Sequence, residues 1–88
     1  MKVLEFRQYE ITANAGAVVV VELDRAANVR LMDPSNFQRF RQGRSHHYLG
    51  GEARRSPVRL AVPHAGRWFV TIDLGPRGGS LRSSVSVL

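Results

Sequence analysis

The sequence predicts an all-β domain: a small antiparallel β-sandwich or barrel of about seven strands, with one short α-helix over about residues 34–42. Three observations carry that expectation. Apolar residues recur with a period of two in several separate stretches, as they do in half-buried strands. Turn-forming residues (Gly, Pro, Asn, Asp) divide those stretches at roughly 8–12-residue spacing. Only one segment, Asp33 to Gly43, carries helical periodicity together with a start and a stop signal. At 88 residues the chain is expected to form a single domain over 1–88 with one core.

Taken in order, Val3 to Ile11 places apolar side chains at Leu4, Phe6, Tyr9 and Ile11. The alternation breaks between Phe6 and Tyr9, which predicts one bulged strand or two short pieces. Thr12 to Gly16 has the composition of a turn. Ala17 to Leu23 is the clearest strand, with Val19, Val21 and Leu23 on one face and Val18, Val20 and Glu22 on the other. Its start is apolar on both faces, so both need cover. After Asp24–Ala27, Asn28 to Met32 returns as a strand. Asp33 then suits a helix N-cap and Pro34 the first helical position, while Gly43 suits the left-handed residue that ends the helix. Phe37 and Phe40 share a helix face with Arg41, and that face is expected to dock near Val18, Val20 and Phe69.

Arg44 to Leu49 is predicted as a strand and Gly50-Gly51-Glu52 as a turn. Ser56 to Gly79 reads as a half-buried hairpin: Val58, Leu60 and Val62 alternate on one arm, Trp68, Val70, Ile72 and Leu74 on the other, and Pro63 to Gly66 turns between them. Gly75 to Gly79 forms a further turn, and Leu81 to Leu88 alternates as a terminal strand.

The formal charge is +6, unevenly placed. Residues 1–33 carry four basic and five acidic side chains; residues 34–59 carry six arginines against Glu52; residues 60–88 carry three arginines against Asp73. Arginine's planar fork grips carboxylate and phosphate bidentately, so the middle third is the place to look for an anionic partner. The absence of cysteine excludes disulfides and thiolate metal sites and favours a cytoplasmic setting. The longest wholly apolar run, Ala17 to Val21, is too short to cross a bilayer, so no membrane insertion is expected.

Asp33, Asn36, Phe37, Phe40 and Gly43, then Tyr48-x-Gly50-Gly51 (with Leu49 between), Ser56-Pro57, Val62-Pro63 with Gly66 and Trp68, and Ile72-Asp73-Leu74-Gly75 follow one another in a distinctive order. In these residues the whole chain resembles a bacterial family of uncharacterised domains, domain of unknown function 1883. The resemblance implies a small β-rich domain with no assigned activity. Some members are joined to TIR domains, which implies a sensing or recruiting module.

The residues themselves point most clearly to an arginine-rich face: Arg39, Arg41, Arg44, Arg54, Arg55 and Arg59, with His46 and Tyr48. A bland reading competes with it, in which these arginines form a solvated face whose stems cover apolar edges. The functional expectation is a non-enzymatic binding or sensing module for an acidic protein partner or an anionic ligand, using no cofactor. One alternative is a single-stranded nucleic-acid-binding protein, in which the same arginines neutralise phosphates and Tyr48 stacks on a base. Another is a structural or oligomerisation unit that pairs through an edge such as Leu81–Leu88. His46 and His47 are adjacent, and on a strand they would point to opposite faces, which argues against a shared metal. Ser56, His64 and Asp73 include every residue type of a hydrolase triad, but Ser56 precedes Pro57 and has no nucleophile elbow. No catalytic residue is assigned. Asp73 is expected to form a structural salt bridge.

Overall fold

Seven strands and one helix follow one another in a computed structural model that describes residues 6–88. They are β1 (Arg7–Ala13), β2 (Val18–Leu23), β3 (Ala27–Met32), α1 (Pro34–Arg41), β4 (Leu49–Ala53), β5 (Val58–Ala61), β6 (Gly66–Asp73) and β7 (Ser83–Val87), with one 3₁₀ turn at Gly75–Arg77. The strands form two antiparallel sheets, four-stranded in the order β1-β6-β3-β4 and three-stranded in the order β5-β2-β7. The molecule is a β-sandwich. The expected residues Val3 and Leu4 of the first strand lie outside the described residues.

Alternation sorts each strand's side chains between the interior and the outside. Val19 and Val21 of β2, Val29 and Leu31 of β3, and Trp68, Val70 and Ile72 of β6 meet between the sheets, each at most 5% exposed. Tyr9 and Ile11 of β1, Val58 and Leu60 of β5, and Val85 of β7 close the sides of this core. The Trp68 indole N–H, which burial would otherwise orphan, donates to the His64 carbonyl at 3.0 Å.

The expected hairpin of residues 56–79 is not one. β5 pairs with β2 in one sheet, and β6 pairs with β1 and β3 in the other. The intervening Val62–Ala65 arches from sheet to sheet, with Val62 tied by its N–H to the Ala17 carbonyl and by its carbonyl to the Gly16 N–H. Both arms alternate because both face the same core, from opposite sides; an arch and a hairpin impose the same period. Every other connection also changes sheet, except the one from β3 through α1 to β4.

Two further expectations are corrected around α1. Residues 44–48 are irregular where a strand was expected, and the strand falls on Leu49–Ala53, across the glycines read as a turn. Gly50 and Gly51 have φ of 101° and 140°, and a Cβ on Gly50 would lie 2.3 Å from the Val29 carbonyl oxygen, so this edge strand needs a glycine there. The helix does cover an outer sheet face, but only that of the four-stranded sheet: Phe37 stacks on Phe69, ring centroids 4.2 Å apart, with Met32 beside them. Val18 and Val20 lie half-buried on the outer face of the other sheet, away from it.

Candidate functional site

Capping fixes both ends of α1. The Asp33 carboxylate accepts from the Asn36 backbone N–H at 2.8 Å and from its side-chain amide at 2.9 Å. The Asn36 side-chain oxygen in turn accepts the His47 N–H at 2.8 Å, which holds the returning segment 44–48 against the start of the helix. At the other end Gly43, at φ 69°, reverses the chain: the Gly43 N–H donates to the Phe40 carbonyl and the Arg44 N–H to that of Arg39. This pair of bonds is a Schellman motif, and it folds Arg44 back beside Arg39. Phe6 packs edge-on against Phe40 and Phe37, at 4.9 and 6.3 Å between centroids.

Beneath these rings lies a polar cluster on the outer face of the four-stranded sheet. Asp73, 3% exposed, accepts from Arg30 at 2.5 Å, from the Asn28 side-chain amide at 3.0 Å and from the Gly75 N–H at 2.8 Å. β3 and β6 set this up in register, because Asn28 stands directly opposite Asp73 and Arg30 opposite Thr71. The Arg30 guanidinium lies 5.2 Å from the Tyr48 ring centroid and 5.5 Å from that of Phe40. His46 packs on both rings, 5.2 Å from Phe40 and 5.4 Å from Tyr48. Its Nδ1 lies 2.9 Å from the Arg44 carbonyl, which can only accept, so Nδ1 carries the proton. Arg30 Nε, Thr71 Oγ1 and His46 Nε2 are buried without a protein partner among the described residues. Tyr48, in contrast, is 44% exposed, and its ring forms the outer surface of the cluster.

The eight residues expected to form one basic face do not share one. Arg39, Arg41, Arg44, His46 and Tyr48 gather around α1 and the segment after it. Arg41 lies 5.7 Å from the Phe37 ring centroid. Arg54 and Arg55 sit where the chain crosses between sheets, and exposed Arg54 is paired with Glu52 at 2.9 Å. Arg59 belongs to β5, on the outer face of the other sheet, because its neighbours Val58 and Leu60 point to the core. The crossing between β4 and β5 separates residues that are close in sequence.

Ser56, His64 and Asp73 stand apart. The Ser56 hydroxyl accepts the Leu23 N–H at 2.8 Å, His64 precedes the first residue of β6, and Asp73 is its last. An eight-residue strand spans about 25 Å. Among the described residues no three His, Asp or Glu side chains gather as metal ligands. A cleft of about 900 Å³ lies at the Asp73 end of β6, lined by Phe6, Arg7, Asp24, Asp73, Leu74 and Arg82, and it contains none of the eight expected site residues. No helix among the described residues is long and apolar enough to cross a membrane.

Sequence reasoning missed Arg30, whose carboxylate partner lies 43 residues away. The available signals were a charged side chain between Val29 and Leu31 and the lone acid of the last third; what joins them is the β3–β6 register.

The family model for Domain of unknown function (DUF1883) matches residues 2–88. No curated protein matches the chain, and no solved structure does.

Proposed function

The chain belongs to that family, and on this premise we propose that the domain is a non-enzymatic binding module that holds an acidic protein segment against the helix side of its four-stranded sheet. One observation carries the reading: Arg39 and Arg41 in the last turn of α1 and Arg44 just beyond it are exposed and in no ion pair among the described residues, and the same segment runs on to half-exposed Tyr48. Cations at a helix C-terminus already complement its dipole, by about 0.3–1 kcal/mol each, which accounts for their stability there without a ligand. Tyr48 adds what a solvated face lacks. It is a rigid aromatic held from behind by Arg30 and His46, and tyrosine and arginine are the side chains that dominate binding surfaces. The arginine forks would take the carboxylates, and the tyrosine ring would take the apolar part of the segment.

The test is a titration of a fluorescent Asp/Glu-rich peptide at low and moderate salt. The variant Arg39→Ser/Arg41→Ser/Arg44→Ser is expected to bind at least about tenfold more weakly, whereas Arg54→Ser/Arg55→Ser leaves binding unchanged. Equal binding by the triple variant overturns the proposal. A single-stranded oligonucleotide that binds more tightly than the peptide, with a steep salt dependence, would replace the acidic partner with nucleic acid.

A further inference from the structure

A sandwich of two open sheets has four edges, and three of them are guarded in ways that discourage pairing. β1 carries Arg7 and Glu10, the latter paired with Arg67. β4 carries Glu52 and two glycines at positive φ. β5 is four residues long, has Arg59 within it and lies between Pro57 and Pro63. β7 has none of these devices. Ser83-Ser84-Val85-Ser86-Val87 contains no charge, no proline and no glycine, and among the described residues it forms an open edge of the three-stranded sheet.

The hydrogen-bond parity shows which backbone groups face outward. Val18 and Leu88 exchange both of their bonds, and the ladder with β2 continues in steps of two through Ser86 and Ser84. The N–H and C=O groups of Ser83, Val85 and Val87 therefore point away from β2, toward the open edge. The side chains of Val87 and Leu88 are 41% and 78% exposed at the same margin.

We infer that β7 pairs antiparallel with β7 of a second copy of this chain, on a two-fold axis at Val85, which fuses two three-stranded sheets into one of six strands. The strand suits its own reverse. About Val85 it has serine on both sides, so Ser84 faces Ser86 of the second copy, and Ser83 faces Val87 of the second copy. Val85 meets its own equivalent and exchanges both backbone bonds with it. The side chains of Val85 and Val87, which lie on the core-facing side, continue the interior of one sandwich toward that of the other. A positively charged protein resists self-association, but this register works around that. Arg82, the cation nearest the strand, lies opposite Leu88 of the second copy. The two Arg82 side chains are then about 20 Å apart, well beyond the ~8 Å screening length at physiological salt. A foreign strand would satisfy the same backbone groups, but it would lack the symmetric match about Val85. One strand edge is a small contact, below the ~1,200 Å² of standard interfaces, so the dimer forms in a concentration-dependent way.

Sedimentation velocity across a concentration series, combined with residue-resolved amide exchange, tests this. The expected result is a monomer–dimer equilibrium in which exchange at Val85 and Val87 slows at least about tenfold from dilute to concentrated protein, while exchange at Arg7 and Glu10 does not change. Val87→Lys, at a half-exposed position, is expected to abolish the dimer while retaining the wild-type melting curve. If that variant unfolds, Val85→Cys provides a second reading: the chain has no other thiol, and mild oxidation should link two copies through that residue, whereas Ser84→Cys should link them poorly. A monomer at every concentration overturns the inference. So does a dimer whose Val85 and Val87 amides exchange as fast as in the monomer.

Discussion

Replacing Asp73 by alanine should cost more stability than any other single change to a polar side chain here. The carboxylate is 3% exposed and accepts three donors: the Arg30 guanidinium, the Asn28 amide and the Gly75 backbone N–H. Removing it leaves Arg30, whose side chain is 19% exposed, without its counter-charge under the Phe40 and Tyr48 rings. Breaking a buried pair from one side costs about 3–5 kcal/mol. Because Arg30 keeps some contact with solvent, the lower end, about 3 kcal/mol, is expected. Set against a stability on the order of 5 kcal/mol for a domain of this size, that is more than half. It corresponds to a fall in melting temperature of about 12–24 °C. Urea unfolding followed by the fluorescence of Trp68, which is buried in the core, measures it directly. The companion variant Arg30→Met/Asp73→Ala removes both charges and should be more stable than Asp73→Ala alone, with a coupling of about 1–3 kcal/mol. A cost below about 1 kcal/mol for Asp73→Ala, or a double variant equal to the sum of the singles, would refute the idea that the pair organises this face.

Three other substitutions test how the helix and the edge strand are held. Phe37→Ala removes the ring stacked on Phe69 and should cost about 3 kcal/mol in the same denaturation assay; a cost near zero would mean that α1 rests on the sheet without being anchored to it. Gly50→Ala combines a positive φ with a Cβ driven to 2.3 Å from the Val29 carbonyl, whereas Gly51→Ala meets no atom within 4 Å. The first should therefore cost about 2–3 kcal/mol and the second about 1, and equal costs would mean that only the dihedral matters.

Much of this fold was legible in local pattern. Strands with one face in the core announce themselves by alternation, and the helix by Asp33, Pro34 and Gly43, because capping chemistry acts within a few residues. What could not be read was the identity of each strand's neighbour. Val58–Ala61 and Gly66–Asp73 both alternate toward one core, and nothing local distinguishes two strands side by side from two strands face to face. Gly50 and Gly51 misled for the same reason: positive φ is equally at home in a turn and in an irregular edge strand. The candidate site was half visible. Arg39, Arg41, Arg44, His46 and Tyr48 are near one another in sequence and stay together in space. Arg59, only four residues after Arg55, goes to the other side of the sandwich because a sheet change intervenes. The partnership of Arg30 with Asp73 depends on the β3–β6 register, which is a property of the whole fold.

The repeated change of sheet also governs when the protein can fold. β6 is an interior strand of the four-stranded sheet and the pairing partner of both β1 and β3, yet it occupies residues 66–73. During synthesis β1 emerges first and waits for a partner some sixty residues downstream, because Arg7 pairs with Ile72. Until then the growing chain can form only the β2–β5 and β3–β4 ribbons, too narrow to be stable in water. The four valines of β2 stay uncovered through that interval, the period in which such segments seek wrong partners. Chains cut before Gly66 should aggregate rather than fold in part, and folding should be slow for the domain's size, as pairing between distant strands makes it.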